Sequence, residues 1–172
     1  MSKNRGWVLE SYPIGDDFDT ALKLRDLAVP EPGPNQMHML DNVFVDPGAY
    51  KVFLQTGTWP DKTMLVMELR GASSKGSINK NGHYQSGGVM GVEVHVKDST
   101  RFNGGWAFFA IAGGAPAAPI PASADCYSCH RQHAAVDTTF VQFYPTLIDL
   151  ATKKGTLSEA YLHDQETGEA KR

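Results

Sequence analysis

The chain has 172 residues, of which 41% are hydrophobic and 20% charged, and its formal net charge is -3. This length and composition are those of an ordinary globular protein, and we expect one domain over residues 1–172. The charge offers no basic surface for nucleic acid, and no apolar run approaches the roughly 20 residues that a membrane span needs. The N-terminus also lacks the apolar stretch of an export signal, because Met1–Arg5 leads directly to Gly6-Trp7.

The first half of the chain is divided by breaker residues into short predicted elements. Residues 16–29 are consistent with a short helix or turn, and the run Pro30–Pro34 ends it. Asn42–Val45 has the composition of a strand. The spacing of apolar residues then predicts a helix over Ala49–Gln55, which Gly57 ends.

Three strand-like segments follow: Thr63–Arg70, Val89–Lys97 and Trp106–Ala112. Gly71–Gly88 is rich in glycine, serine and asparagine, which predicts a long connection or an open hairpin tip. In the second segment, alternation places Met90, Val92, Val94 and Val96 on one face. The opposite face carries Glu93 and His95, and we expect His95 to be half-exposed.

The C-terminal part has helical character. Asp137 is a possible N-cap of an amphipathic helix that Pro145 should kink and Gly155 should end. From Ser158 onward the chain is polar, and we expect it to be poorly ordered. These patterns together predict an α+β fold, a mainly antiparallel sheet with flanking helices.

The most specific motif is Cys126-Tyr127-Ser128-Cys129-His130, the C-x-x-C-H signature of covalent c-type haem attachment. In a helix, positions i, i+3 and i+4 share one face, so Cys126, Cys129 and His130 can all address one flat macrocycle. We therefore expect one haem c, bound covalently through Cys126 and Cys129, with His130 as the proximal iron ligand. The haem would lie between the sheet and the helix that carries the motif.

Other interpretations of the two cysteines explain less. A structural zinc site needs further ligands, and a second C-x-x-C is absent from the sequence. A redox-active dithiol stays possible, but it gives no reason for the adjacent His130.

Further motifs run in order along most of the chain, from about Trp7 to Leu150. They are Gly57–Asp61, Glu68-Leu69, Glu93–Asp98, Arg101-Phe102, Gly105-Trp106 and Thr139–Pro145. Together with the haem motif they resemble the cytochrome P-460 family, which includes the cytochromes c′-beta. The resemblance implies an antiparallel fold, a homodimer, a periplasmic setting and reactions with small nitrogen species such as hydroxylamine or nitric oxide. Haem attachment is normally completed outside the bacterial cytoplasm, so we expect that an export signal has been removed from this chain.

The chain departs from the family pattern at Met67. Cytochromes P-460 carry a lysine there, immediately before Glu-Leu, that is cross-linked to the porphyrin. A thioether cannot form that bond, but the family position faces the haem, so Met67 is the expected distal iron ligand. The alternatives are that Met67 only fills the core, or that Met90 is the ligand. Met64 is a poorer candidate, because alternation places it on the opposite face.

We therefore predict a mono-haem cytochrome with methionine and histidine ligands, which serves electron transfer, reversible binding of nitric oxide or a similar small ligand, or both. Its expected partners are that ligand, a redox protein and a second copy of the chain. The alternatives are a five-coordinate gas-binding cytochrome c′-beta and a hydroxylamine-oxidising enzyme. Lys97 and Arg101 are expected to be solvated or to pair with haem propionates, and His133 is expected to face solvent. Any lysyl cross-link would have to come from Lys75 or Lys80.

Overall fold

The computed structural model describes residues 8–12, 39–73, 84–111 and 117–167. The helix expected over residues 16–29, together with Lys75 and Lys80, lies outside the described residues. Five strands form one antiparallel sheet in the order of the sequence. They are β1 (Val8–Tyr12), β2 (Met39–Val45), β3 (Met64–Ser73), β4 (Tyr84–Lys97) and β5 (Trp106–Ile111).

Four α-helices and one short 3₁₀ turn complete the described fold. They are α1 (Pro47–Thr56), α2 (Asp125–His133), the 3₁₀ turn Val141–Phe143, α3 (Pro145–Lys154) and α4 (Glu159–Thr167). The start and end of α1 have local causes. The Asp46 carboxylate accepts hydrogen bonds from the first free N–H groups, and Gly57 ends the helix at a φ of 77°. The expected α+β class is confirmed.

One expectation for the C-terminal part is wrong. Asp137 does not cap a helix: it lies in a turn with a φ of 50°, and α3 begins only at Pro145, whose fixed φ suits a first helical position. The polar tail contains α4, and Ser158 donates a hydrogen bond to the Ala134 carbonyl and accepts one from the Tyr161 N–H at the start of this helix.

The register of the sheet defines three rows of side chains on one face, which we call the inner face. Directly paired residues of an antiparallel sheet point to the same side. The His95 row contains Val45, Leu65, His95 and Phe108, and the Met67 row contains Val43, Met67, Glu93 and Ala110. The Asp41 row contains Asp41, Leu69 and Gly91.

The opposite face of the sheet is the outer face, although it carries the valines of β4. Met90 is 49% exposed and Met64 is 40% exposed, and a polar network of Asn42, Glu68, Arg70 and Gln85 lies on the same side. Alternation correctly separated the two faces of β4, but hydrophobicity suggested the wrong one as inner. The inner face is the one that packs against residues 125–154, from α2 to α3, which we call the C-terminal segment. The core between them includes Val45, Trp59, Trp106, Val141 and Leu147.

Candidate haem site

A cavity of about 450 Å³ lies between the inner face and the C-terminal segment. Most of its wall is apolar. Its lining residues are Asp41, Val43, Val45, Trp59, Leu65, Met67, Glu93, Val94, His95, Phe108, His130, Thr139, Phe140, Val141, Phe143, Tyr144 and Leu147. Its size and apolar character suit a small-molecule cofactor.

The side chain of His130 projects from α2 into this cavity, and one of its ring nitrogens already has a hydrogen-bond partner. Its Nδ1 lies 2.7 Å from the carbonyl oxygen of Thr138. Since a carbonyl only accepts, Nδ1 carries the proton and donates, which leaves Nε2 unprotonated as a metal ligand. Burial lowers the pKa of His130, more than the bond to Thr138 raises it. The imidazole is therefore held in the neutral, ligating form.

Three aromatic rings surround the imidazole of His130. The ring centroids of Phe140, Phe108 and His95 lie 4.4, 4.7 and 5.3 Å from it. Two of these rings come from the sheet and one from the C-terminal segment, so the imidazole is fixed by both walls of the cavity.

Both cysteines lie on α2 with His130, as expected, and neither is in a disulfide. Cys126 is half-buried and Cys129 is exposed. Tyr127, between them, attaches α2 to the sheet: its hydroxyl accepts from the Phe108 N–H and donates to the Ile120 carbonyl. This role of Tyr127 could not be predicted from the motif, which leaves that position unrestricted.

Met67 lines the same cavity as His130. The rival candidate, Met90, is on the outer face and is not among the lining residues. Of the three methionines whose side chains the structure describes, Met67 alone reaches the cavity.

Two carboxylates also line the cavity. Glu93 lies opposite Met67 in the Met67 row, and Asp41 lies one row further from His95. Burial raises the pKa of Asp41, and its Oδ1 is buried without a hydrogen-bond partner. No sequence pattern pointed to Asp41, since an isolated aspartate beside a strand is ordinarily a solvated residue. Glu68, by contrast, is on the outer face, where it pairs with Arg70.

The expectation that His95 is half-exposed is wrong. His95 is 8% exposed, its ring stacks on Phe108 at 3.9 Å, and its Nε2 has no partner. Burial is the main cause that lowers the pKa of His95, to about 3. The side chain is thus an uncharged part of the cavity wall.

Other charged candidates have protein partners. The Lys97 ammonium lies 2.9 Å from the Asp137 carboxylate and 2.7 Å from the Trp59 carbonyl. His133 lies 2.6 Å from the carboxylate of Asp164 on α4. Arg101 is an exposed turn residue whose guanidinium lies over the ring of Phe102.

These residues fit a haem group. A neutral histidine with a free Nε2, two unpaired thiols on the same helix and an apolar cavity are the features that an iron porphyrin requires.

Within the described ranges, no helix is long and apolar enough to cross a bilayer.

Comparison with known proteins agrees with this geometry. The chain matches the family model for cytochrome P460 over residues 23–141, more than two thirds of its length. No curated protein matches the sequence. The matched region includes the C-x-x-C-H motif, His95 and Met67. The chain belongs to the cytochrome P460 family and is a haem-binding cytochrome.

Proposed function

We propose that this protein is a mono-haem c-type cytochrome for electron transfer, for reversible binding of nitric oxide or a similar small ligand, or for both. Cys126 and Cys129 attach the haem covalently. His130 would bind the iron as the proximal ligand, and Met67 would offer its sulfur as a weak, displaceable second ligand.

One observation carries this proposal: His130 and Met67 line one apolar cavity from two different elements of the fold. The hydrogen bond to Thr138 prepares His130 Nε2 for iron. The sulfur of Met67 is a soft donor that suits ferrous iron.

Haem bound in this cavity supplies an iron centre that gains and loses one electron. Methionine and histidine ligation raises its reduction potential relative to histidine alone. The apolar side chains exclude water, and a displaceable Met67 would control the access of a small ligand to the iron. We further propose a periplasmic location, a redox partner protein and a homodimer, in keeping with the family resemblance.

The test is intact-mass measurement and optical spectroscopy of protein from cells competent in haem maturation. We expect one added haem mass after denaturation and a low-spin spectrum in both oxidation states. Peptide mapping should find no lysine joined to the porphyrin, since Met67 replaces the cross-linking residue. A polypeptide mass without haem would refute the proposal, and a high-spin spectrum would instead indicate the five-coordinate alternative.

The carboxylates in the cavity favour a second candidate, an enzyme that oxidises hydroxylamine or a related substrate. Such a reaction needs a group that accepts protons near the substrate, and Asp41 and Glu93 both line the cavity. Hydroxylamine-dependent reduction of an electron acceptor, measured across pH, tests this candidate. Activity that is lost in both Asp41→Asn and Glu93→Gln would favour the enzyme over the electron carrier.

A further inference from the structure

We propose that Lys97, Asp137 and Trp59 form a support that sets the strength of the hydrogen bond between His130 and Thr138, and thereby tunes the haem iron. They are positioning residues, because none of them is proposed to bind the iron. The inference rests on the proposed role of His130 as proximal ligand.

The Thr138 carbonyl, which accepts the hydrogen bond from His130, belongs to a turn with unusual backbone angles. Asp137 and Thr138 have φ values of 50° and 58°, in the left-handed region that residues with a side chain seldom adopt. Such a conformation is strained and persists only where surrounding contacts enforce it. The direction of the Thr138 carbonyl therefore depends on what holds this turn.

The contacts that hold the turn converge on the Asp137 carboxylate. Its Oδ2 accepts hydrogen bonds from the Trp59 backbone N–H at 3.1 Å and from the Lys97 ammonium at 2.9 Å. The same ammonium donates to the Trp59 carbonyl at 2.7 Å, so the three residues close a ring of hydrogen bonds.

A second attachment lies on the other side of Thr138. The indole N–H of the buried Trp59 donates to the Thr139 hydroxyl at 2.8 Å, and that hydroxyl donates to the Val136 carbonyl at 2.6 Å. Thr138 is thus fixed between two neighbours that are both bonded to Trp59, which packs on Phe53 in the core.

The effect on the iron follows from the chemistry of imidazole. A strong bond from Nδ1–H to a carbonyl increases electron density on the ring and makes Nε2 a more basic ligand, which favours ferric iron. If the turn relaxes, this bond weakens and the reduction potential rises. Charge removal at Asp137 or Lys97 should therefore be detected at the haem although neither side chain lines the cavity.

The experiment compares two ion pairs, one that holds the turn at Asp137 and one on the outer face of the sheet. The test variants are Asp137→Asn, which keeps a side chain that tolerates positive φ, and Lys97→Gln. The control is Glu68→Gln, which breaks an outer-face pair of matched geometry. The Lys97–Asp137 and Arg70–Glu68 pairs are both 2.9 Å apart, with side-chain exposures of 19% and 29% against 26% and 24%.

Two quantities are measured on each haem-loaded protein: the reduction potential, and solvent exchange of the His130 Nδ1 proton by NMR of the diamagnetic ferrous carbon monoxide complex. We expect exchange to become about tenfold faster in Asp137→Asn, the ratio that the loss of one ordinary hydrogen bond gives. We expect the potential to rise in the same variant, and both effects to be weaker in Lys97→Gln. The double variant should shift no further than Asp137→Asn, because both changes break one pair.

Three results would overturn the inference. The first is a test variant that is less stable but has wild-type exchange and potential, which would make the support merely structural. The second is an equal potential shift in Glu68→Gln, which would indicate a general charge effect. The third is a fully additive double variant. A wild-type protein without histidine-ligated haem would instead refute the proposed function.

Discussion

The two walls of the cavity are built differently. On the His130 side, one imidazole is held by a hydrogen bond, three aromatic rings and a turn that is itself bonded to the core. On the Met67 side, a flexible thioether projects from the middle of a strand, among valine, leucine and two carboxylates. The side chain proposed as proximal ligand is thus held in place from several directions, whereas the side chain proposed as distal ligand is flexible.

This difference suggests a division of roles. A rigid ligand keeps the iron in one position through oxidation and reduction, whereas a flexible ligand can leave and be replaced. The strongest predictions are therefore those in which the two walls respond differently to the same kind of change.

The largest effect is expected from His130→Ala. Loss of the proposed proximal ligand should reduce the yield of haem-loaded protein about tenfold or more, because the groups that orient His130 cannot replace it at the iron. Haem content per mole of polypeptide measures this. A normal yield with an unchanged spectrum would mean that another residue is the proximal ligand.

Met67→Ala should have a smaller effect of a different kind. The haem should still be attached, but its spectrum should become high-spin and its reduction potential should fall, since the thioether favours ferrous iron. Nitric oxide binding to the ferrous wild type should reach a limiting rate set by methionine departure, and the variant should lose that limit. Stopped-flow kinetics test this, with outer-face Met90→Ala as the control. A low-spin Met67→Ala protein would place the ligand elsewhere.

His95 should make stability sensitive to acid. Its pKa is lowered from 6.5 to about 3, mainly by burial, so between these values the unfolded chain binds a proton that the folded protein does not. The free energy of unfolding should therefore fall as pH decreases from 6.5 towards 3. His95→Phe keeps a ring against Phe108. It should reduce the dependence of the unfolding free energy on pH by an amount that corresponds to at most about one bound proton. Denaturant unfolding at several pH values measures the slope, and an unchanged slope would contradict the assignment.

The smallest effect is expected at Asp41, on the Met67 side. Burial raises the pKa of this carboxyl, so its ionisation in the folded state lowers stability as pH rises above the ordinary value of 3.8. Asp41→Asn should increase the free energy of unfolding at pH 7, and the gain should disappear below 3.8, where the carboxyl is protonated in both states. A variant that is less stable than wild type at pH 7 would indicate a partner for the ionised carboxylate.

Much of the fold could be predicted because local chemistry decided it. Asp46, Pro47 and Gly57 set the bounds of α1 through capping groups and fixed dihedral angles, and alternation located β3, β4 and β5. The expected capping role of Asp137 was wrong because long-range contacts, and not local chemistry, decide its conformation. Its backbone is enforced by Trp59 and Lys97, which lie far away in the sequence.

The sequence by itself determined the haem motif, the family and the antiparallel sheet, since each depends on residue types at short, fixed spacings. Only the tertiary structure decided which face of the sheet is inner. It therefore also decided that His95, Glu93 and Asp41 line the cavity with Met67, and that Met90 does not. The physical reason is that the hydrophobicity of the two faces of β4 does not indicate which of them is buried. The inner face was selected by the C-terminal segment that packs against it, and that packing joins residues far apart in the chain.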